Sequence, residues 1–137
     1  MLPALTTAVR RRGWLPLAVF AFHLLASFVL NAYEAWPPLD IPMHFTGGVA
    51  IAYFAWGAVD AFEEYGLLQT STGLLRGLLV FGLATTAAVF WEFAEYLVDR
   101  FAGVKVQLGL TDTLLDMLLG QLGCLTLIWL TRRVARD

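Results

Sequence analysis

The sequence predicts an all-α, polytopic membrane protein folded as a four-helix transmembrane bundle. Of its 137 residues, 59% are hydrophobic and only 15% charged, against roughly 25% charged in soluble domains; mean hydropathy is +0.70. A soluble domain of this size buries only about two-thirds of its unfolded surface, too little to hide so much apolar chain. Four stretches, near 14–32, 42–60, 76–98 and 113–131, are long enough to cross a hydrocarbon core of ~30 Å, which takes about 20 helical residues.

The first stretch follows Arg10, Arg11 and Arg12, the basic start that a signal peptide also has. Its apolar run from Trp14 to Leu30 exceeds the roughly 7–15 residues of a signal core, so it is read as a span. The connection NAYEAWPPLDI, residues 31–41, holds Pro37 and Pro38 and reads as an ordered extracytoplasmic turn. The second span opens at DIPMHFTGG. The third ends in WEFAEYLVD and is followed by a connection, 99–112, that contains Gly103 and Gly109. The fourth begins after Thr111 and Asp112. Gly47 with Gly48, Gly73 with Gly77, and Gly120 with Gly123 suit the close backbone approach that membrane helices use. No repeat or linker divides the chain, so residues 1–137 read as one domain. Cys124 stands alone and can form no internal disulfide.

Basic residues near span ends stay in the cytoplasm. Arg10, Arg11, Arg12, Arg76, Arg132, Arg133 and Arg136 fall on one side, and only Arg100 and Lys105 on the other, which puts both termini inside. Trp14, Trp36, Trp91 and Trp129 fall near span ends, the place of interfacial anchors. In this topology the outer half carries seven acids (Glu34, Asp40, Glu92, Glu95, Asp99, Asp112, Asp116) against two bases. Gathered near low dielectric, such a cluster must bind a cation, keep acids protonated, or hold them apart in water.

Spacing argues against holding them apart. Glu92, Glu95 and Asp99 share a face of the third span; Asp112 and Asp116 share one on the fourth; Asp40 and His44 have the same spacing at the mouth of the second. Ionisable groups inside a membrane face the bundle interior, because a carboxylate in lipid costs several kcal/mol. His23, Ser27, Asn31 and Glu34 form a softer stripe on the first span, with His23 near mid-bilayer. Plainer readings stand beside these. Asp40 and Asp112 suit helix starts, His44 and His23 suit packed histidines, and Asp99 suits a solvated acid paired with Arg100 or Lys105.

The order DIPMHFTGG, WEFAEY and QLGLTDTLLDMLLGQLG resembles the YjdF-like and VanZ-like small integral membrane proteins of bacteria over residues 38–124. The resemblance implies a multi-pass protein of the bacterial cytoplasmic (inner) membrane with a polar site built from Asp40, His44, Glu92, Glu95, Asp112 and Asp116. Glu95 stands where VanZ-like proteins have glutamine, and Gly120 where they have asparagine, which favours the YjdF-like branch. It implies no reaction, since fold or family alone does not supply one.

Those six residues are the candidate metal ligands, with His23, Asn31, Glu34 and Asp99 as secondary candidates. Carboxylate oxygens with one imidazole suit Mg²⁺, Mn²⁺, Ca²⁺, Zn²⁺ or iron. A catalytic version of the site would be a metal-dependent hydrolase polarising a lipid-linked substrate, although neither H-E-x-x-H nor G-x-S-x-G occurs. Whether the chain is an enzyme stays open at this point. The alternatives are proton or cation transport or sensing, for which so small a chain would form a homo-oligomer, and a non-catalytic assembly subunit. Its expected partners are membrane lipids. Nucleic acid is not among them, because the basic runs are short and flank spans.

Overall fold

The computed structural model describes residues 1–103 and 106–134, with side chains as far as Thr131. Lys105 and Arg136, and the side chains of Arg132 and Arg133, all counted in the charge distribution above, lie outside the described residues.

The described residues are helical, with no strand among them: α1 (Leu2–Arg12), α2 (Trp14–Leu24), α3 (Ala32–Ala35), α4 (Asp40–Glu64), α5 (Gly73–Ala102) and α6 (Leu110–Val134). α2 continues into a π-helical turn, Leu25–Val29, closed by a bond from Leu30 N–H to the Leu25 carbonyl of 3.0 Å. Asn31 then takes a left-handed conformation, φ 48°, which asparagine tolerates better than most residues. A 3₁₀ turn at Pro37–Leu39 leads into α4. Thr72 caps α5 by accepting the Leu75 N–H, and Gly103, at φ 67°, ends it in the left-handed state that glycine adopts freely.

Three helical stretches are long and apolar enough to cross a membrane: Pro37–Glu64, Gly73–Ala102 and Leu110–Thr131. A fourth crossing depends on counting Leu2–Arg12 and Trp14–Val29 together, although their axes bend by 63°. The expected first span is therefore the element that departs most. Its helix stops at Val29 rather than residue 32, and α1, read from sequence only as a basic flank, is a helix in its own right. The bend falls at Gly13, where a Cβ would lie 2.6 Å from the Val9 carbonyl oxygen.

The packing inverts that of a soluble protein. One core cluster joins Ala52, Ala55, Val59, Val80, Ala84, Cys124 and Ile128; another joins Ala4 and Ala8 of α1 to Ala58 and Ala61 of α4. Phe90, Phe93, Phe101 and Leu118 are exposed. Small residues inside and large apolar ones outside are what helix association in lipid requires, since oil supplies no hydrophobic drive. The tightest contact joins α4 and α6. A Cβ on Gly48 would overlap the Gly120 carbonyl, and one on Gly123 would overlap the Phe45 carbonyl. Gly73, expected to pack closely, has open space where its Cβ would be.

The charges sort to opposite ends of α4. At its C-terminal end Arg12 donates to Asp60 at 3.2 Å, Arg76 donates to the same carboxylate at 2.7 Å and also pairs with Glu63, and Arg11 reaches Glu64. Arg12 and Arg76 also lie over the rings of Tyr53 and Trp56. Asp40 and His44 mark the other end. The 20 residue steps from Asp40 to Asp60 rise about 30 Å in a helix, the thickness of a hydrocarbon core.

Candidate functional site

α4 and α6 run in the same direction, and their glycine contact sets the site. His44 and Asp116 each lie four residues, one helical turn, before Gly48 and Gly120, so close approach of the backbones draws the two side chains together. His44 Nε2 is 3.2 Å from Asp40 Oδ1 and 3.7 Å from Asp116 Oδ1. One ligand atom from each of Asp40, His44 and Asp116 falls within 4.8 Å of the others. Asp116 is only 3% exposed, and Asp40 reaches toward the surface.

Two carboxylates this close repel unless a proton or a cation stands between them. Glu92 and Glu95 of α5, both buried, add to the negative field around His44. Their spacing of three turns both inward while Phe93 and Tyr96 face out. Glu92 accepts a bond from Gln107 Nε2 at 3.3 Å, and Glu95 accepts one from Trp91 Nε1 at 2.7 Å.

The other sequence candidates have different employment. Asp112 accepts the Leu108 N–H at 3.0 Å, and Asp99 accepts the N–H groups of Val106 and Gln107 at 2.5 and 3.0 Å. Both hold the α5–α6 connection. Asp99 thus has backbone partners, where pairing with Arg100 or Lys105 was expected; Lys105 lies outside the described residues. Asn31 donates to Glu34 at 2.6 Å in the exposed α2–α4 connection, so neither belongs to the triad. His23 lies nearer the site than its mid-bilayer placement suggested: it lines the same cavity as His44, Glu92 and Asp116. Its Nδ1 is 2.8 Å from the Tyr33 hydroxyl, which burial pushes up to about 12, keeping it protonated.

Three participants were not singled out from sequence. Gln107 lies in the connection and reaches back to Glu92, a contact with no local signal. Tyr33, ten residues on, meets His23 across the break in the helix at Asn31. Trp91, read as an interfacial anchor, is half-buried, bonds Glu95, and meets the rings of Phe20 and His23 edge-on; Trp14, Trp36 and Trp129 are exposed.

Below the triad lies a cavity of about 490 Å³ between α2, α4 and α5. Its outer end is lined by His44, Glu92 and Asp116, and its walls by apolar residues including Leu17, Phe20, Ile51 and Phe54.

Comparison with known proteins accords with a membrane location. The family described as "Predicted membrane protein (DUF2238)" matches residues 3–137, and the chain belongs to that family, which holds the YjdF-like proteins. An uncharacterized protein of Thermotoga maritima is 31% identical over 119 residues, 86% of this chain. The match covers 59% of that relative's length. These matches support the YjdF-like resemblance and do not show the VanZ-like one. No solved structure matches the chain.

Proposed function

We propose that this member of the family holds a divalent cation on Asp40, His44 and Asp116 at the extracytoplasmic end of a four-span bundle in the bacterial cytoplasmic membrane. Both termini are then cytoplasmic, with α1 and α2 together making the first crossing. The observation that carries the cation is the convergence of three ligand atoms from two helices within 4.8 Å. Two carboxylates and one imidazole suit Mn²⁺, Zn²⁺ or Fe²⁺ better than Ca²⁺, which prefers oxygen alone. Three protein ligands leave positions open for water or substrate, the arrangement of catalytic centres.

Such an ion polarises a phosphoryl or acyl oxygen and lowers the pKa of bound water. Hydrolysis of a lipid-linked ester is the reaction this favours. In such a hydrolysis Glu92, on the same cavity wall, would take a proton from the attacking water and return it to the lipid oxygen as the bond to that oxygen breaks. The apolar walls beneath argue against a continuous polar path for ions across the bilayer.

The test is elemental analysis of protein purified from metal-replete cells, with Asp116→Asn and His44→Gln beside wild type. One ion per chain, lost in both variants, supports the centre. Metal-free, folded wild type would mean that Asp40 and Asp116 share a proton, and would turn the function toward proton handling. With metal present, turnover of a lipid phosphate ester separates enzyme from static site, because uniform binding gives no acceleration.

A further inference from the structure

We infer that the cavity below the triad binds a lipid phosphate, with one apolar tail lying between α2, α4 and α5 and the phosphate at the His44–Asp116 end. At about 490 Å³ the space falls within the ~300–1,000 Å³ of small-molecule sites. Its polarity is one-ended: His44, Glu92 and Asp116 at the outer end, with Leu17, Phe20, Ile51 and Phe54 along the walls. A water-soluble ligand leaves those walls unused, and an unsubstituted alkane has no group to meet the polar end.

The head follows from charge. Acids surround His44, so a bare phosphate is repelled; a divalent ion on Asp40, His44 and Asp116 offsets the charge of its two carboxylates and offers open coordination positions, and carboxylate-bound cations commonly complete their shell with a substrate phosphate. The head of the ligand therefore rests on the cation reading, whereas the tail does not. The cavity is also left open by sequence. Gly47 lines it, and a Cβ there meets nothing within 4 Å. Glycine inside a helix costs stability relative to alanine, and helix packing gives no reason for it here. The side of the cavity toward α5 is formed in part by Ala84, Ala87 and Ala88, which keep the gap to α2 wide; α2 meets α5 through the rings of Phe20 and His23 on Trp91.

The experiment uses full-length protein in nanodiscs with Mn²⁺ and two probes, hexadecyl phosphate and hexadecanol, each with a diazirine at the end of the tail. After photolysis, labelled residues are mapped by mass spectrometry. The expected result is labelling of Leu17, Phe20 or Ile51 by the phosphate, reduced about tenfold or more in Gly47→Leu, on the scale by which filled apolar pockets discriminate. Manganese content and melting temperature should be retained in that variant. Ala87→Leu, on the opposite wall, guards against a folding defect in the first variant and should act alike. A chelator should lower labelling by the phosphate and leave hexadecanol unchanged.

Labelling that neither variant reduces, or that spreads equally to lipid-facing Leu118 and Leu125, would overturn the inference, showing bulk lipid only. Labelling reduced by both variants in protein that binds no metal and ignores the chelator would overturn the phosphate head and the cation reading while leaving the tail site standing. Metal binding intact with labelling indifferent to both variants would sink the lipid site alone.

Discussion

Gly48 lies against the carbonyl of Gly120, and this backbone contact between α4 and α6 sits one turn below the pair formed by His44 and Asp116. The site is thus built from below. Each glycine removes the side chain that would hold the helices apart, and the next turn outward brings His44 and Asp116 into reach of each other.

Gly48→Ala is expected to destabilise the protein by about 1–3 kcal/mol, the usual cost of overpacking a tight contact, and to lower cation affinity by separating His44 from Asp116. Gly47→Ala, one residue away with open space for its Cβ, should be neutral or slightly stabilising. Thermal melts in detergent together with metal titration decide this. Equal behaviour of the two variants would show that the glycine contact does not set the site.

Asp112→Asn and Asp99→Asn should leave metal stoichiometry unchanged, because these carboxylates accept backbone N–H groups of residues 106–108. Faster hydrogen exchange in that connection is the expected consequence. Loss of the ion in Asp112→Asn would enlarge the centre beyond the triad.

Much of this was legible because carboxylates in an apolar run are conspicuous, and three- and four-residue spacings place them on a helix face without further information. Glu92 and Glu95 illustrate it. Which helices meet is a different matter: the approach of Asp116 to His44 depends on Gly48 and Gly120, and a glycine pattern does not reveal its partner. Gly73 and Gly77 have the more familiar spacing, yet Gly73 packs against nothing at its Cβ position. The α1 helix was illegible for a related reason. Its buried stripe is Ala4 and Ala8, too weakly hydrophobic to stand out, and it becomes meaningful only against Ala58 and Ala61. Asp112 and Asp116 look alike in sequence, and only the path of residues 106–108 separates a loop anchor from a member of the triad.

At the other end of α4, Arg76→Ala should cost about 1–3 kcal/mol, because it removes the one cation that bridges the partly shielded Asp60 and Glu63 and leaves Asp60 with Arg12 and Glu63 with Ser71, and charged hydrogen bonds to shielded groups are the costly ones to lose. Arg11→Ala removes a pair in which both side chains are more than half exposed and should have little effect. Denaturation in mixed micelles compares the two. A larger loss from Arg11 would mean that α1 docks chiefly through its charges and not through Ala4 and Ala8.

The arrangement across the membrane gives the last prediction. Arginines at one end of α4 and acids with His44 at the other lie about 30 Å apart along the helix, so one end faces each side, and the proposed orientation puts the basic end in the cytoplasm. Single cysteines at Pro37 and at Gly103 should then react with an impermeant maleimide on intact cells, and one at Thr70 only after lysis; Cys124 is buried and replaced by alanine in the background. The bend at Gly13 makes a fourth site informative. If α1 and α2 together form one crossing, a cysteine at Leu2 behaves like Thr70. If the bent pair is re-entrant instead, Leu2 reacts from the same side as Pro37, the chain crosses three times, and the cavity between α2 and α5 opens to the outside water as well as to lipid. That outcome would remove the four-span topology while leaving the triad where it is, since Asp40, His44 and Asp116 are set by α4 and α6 alone.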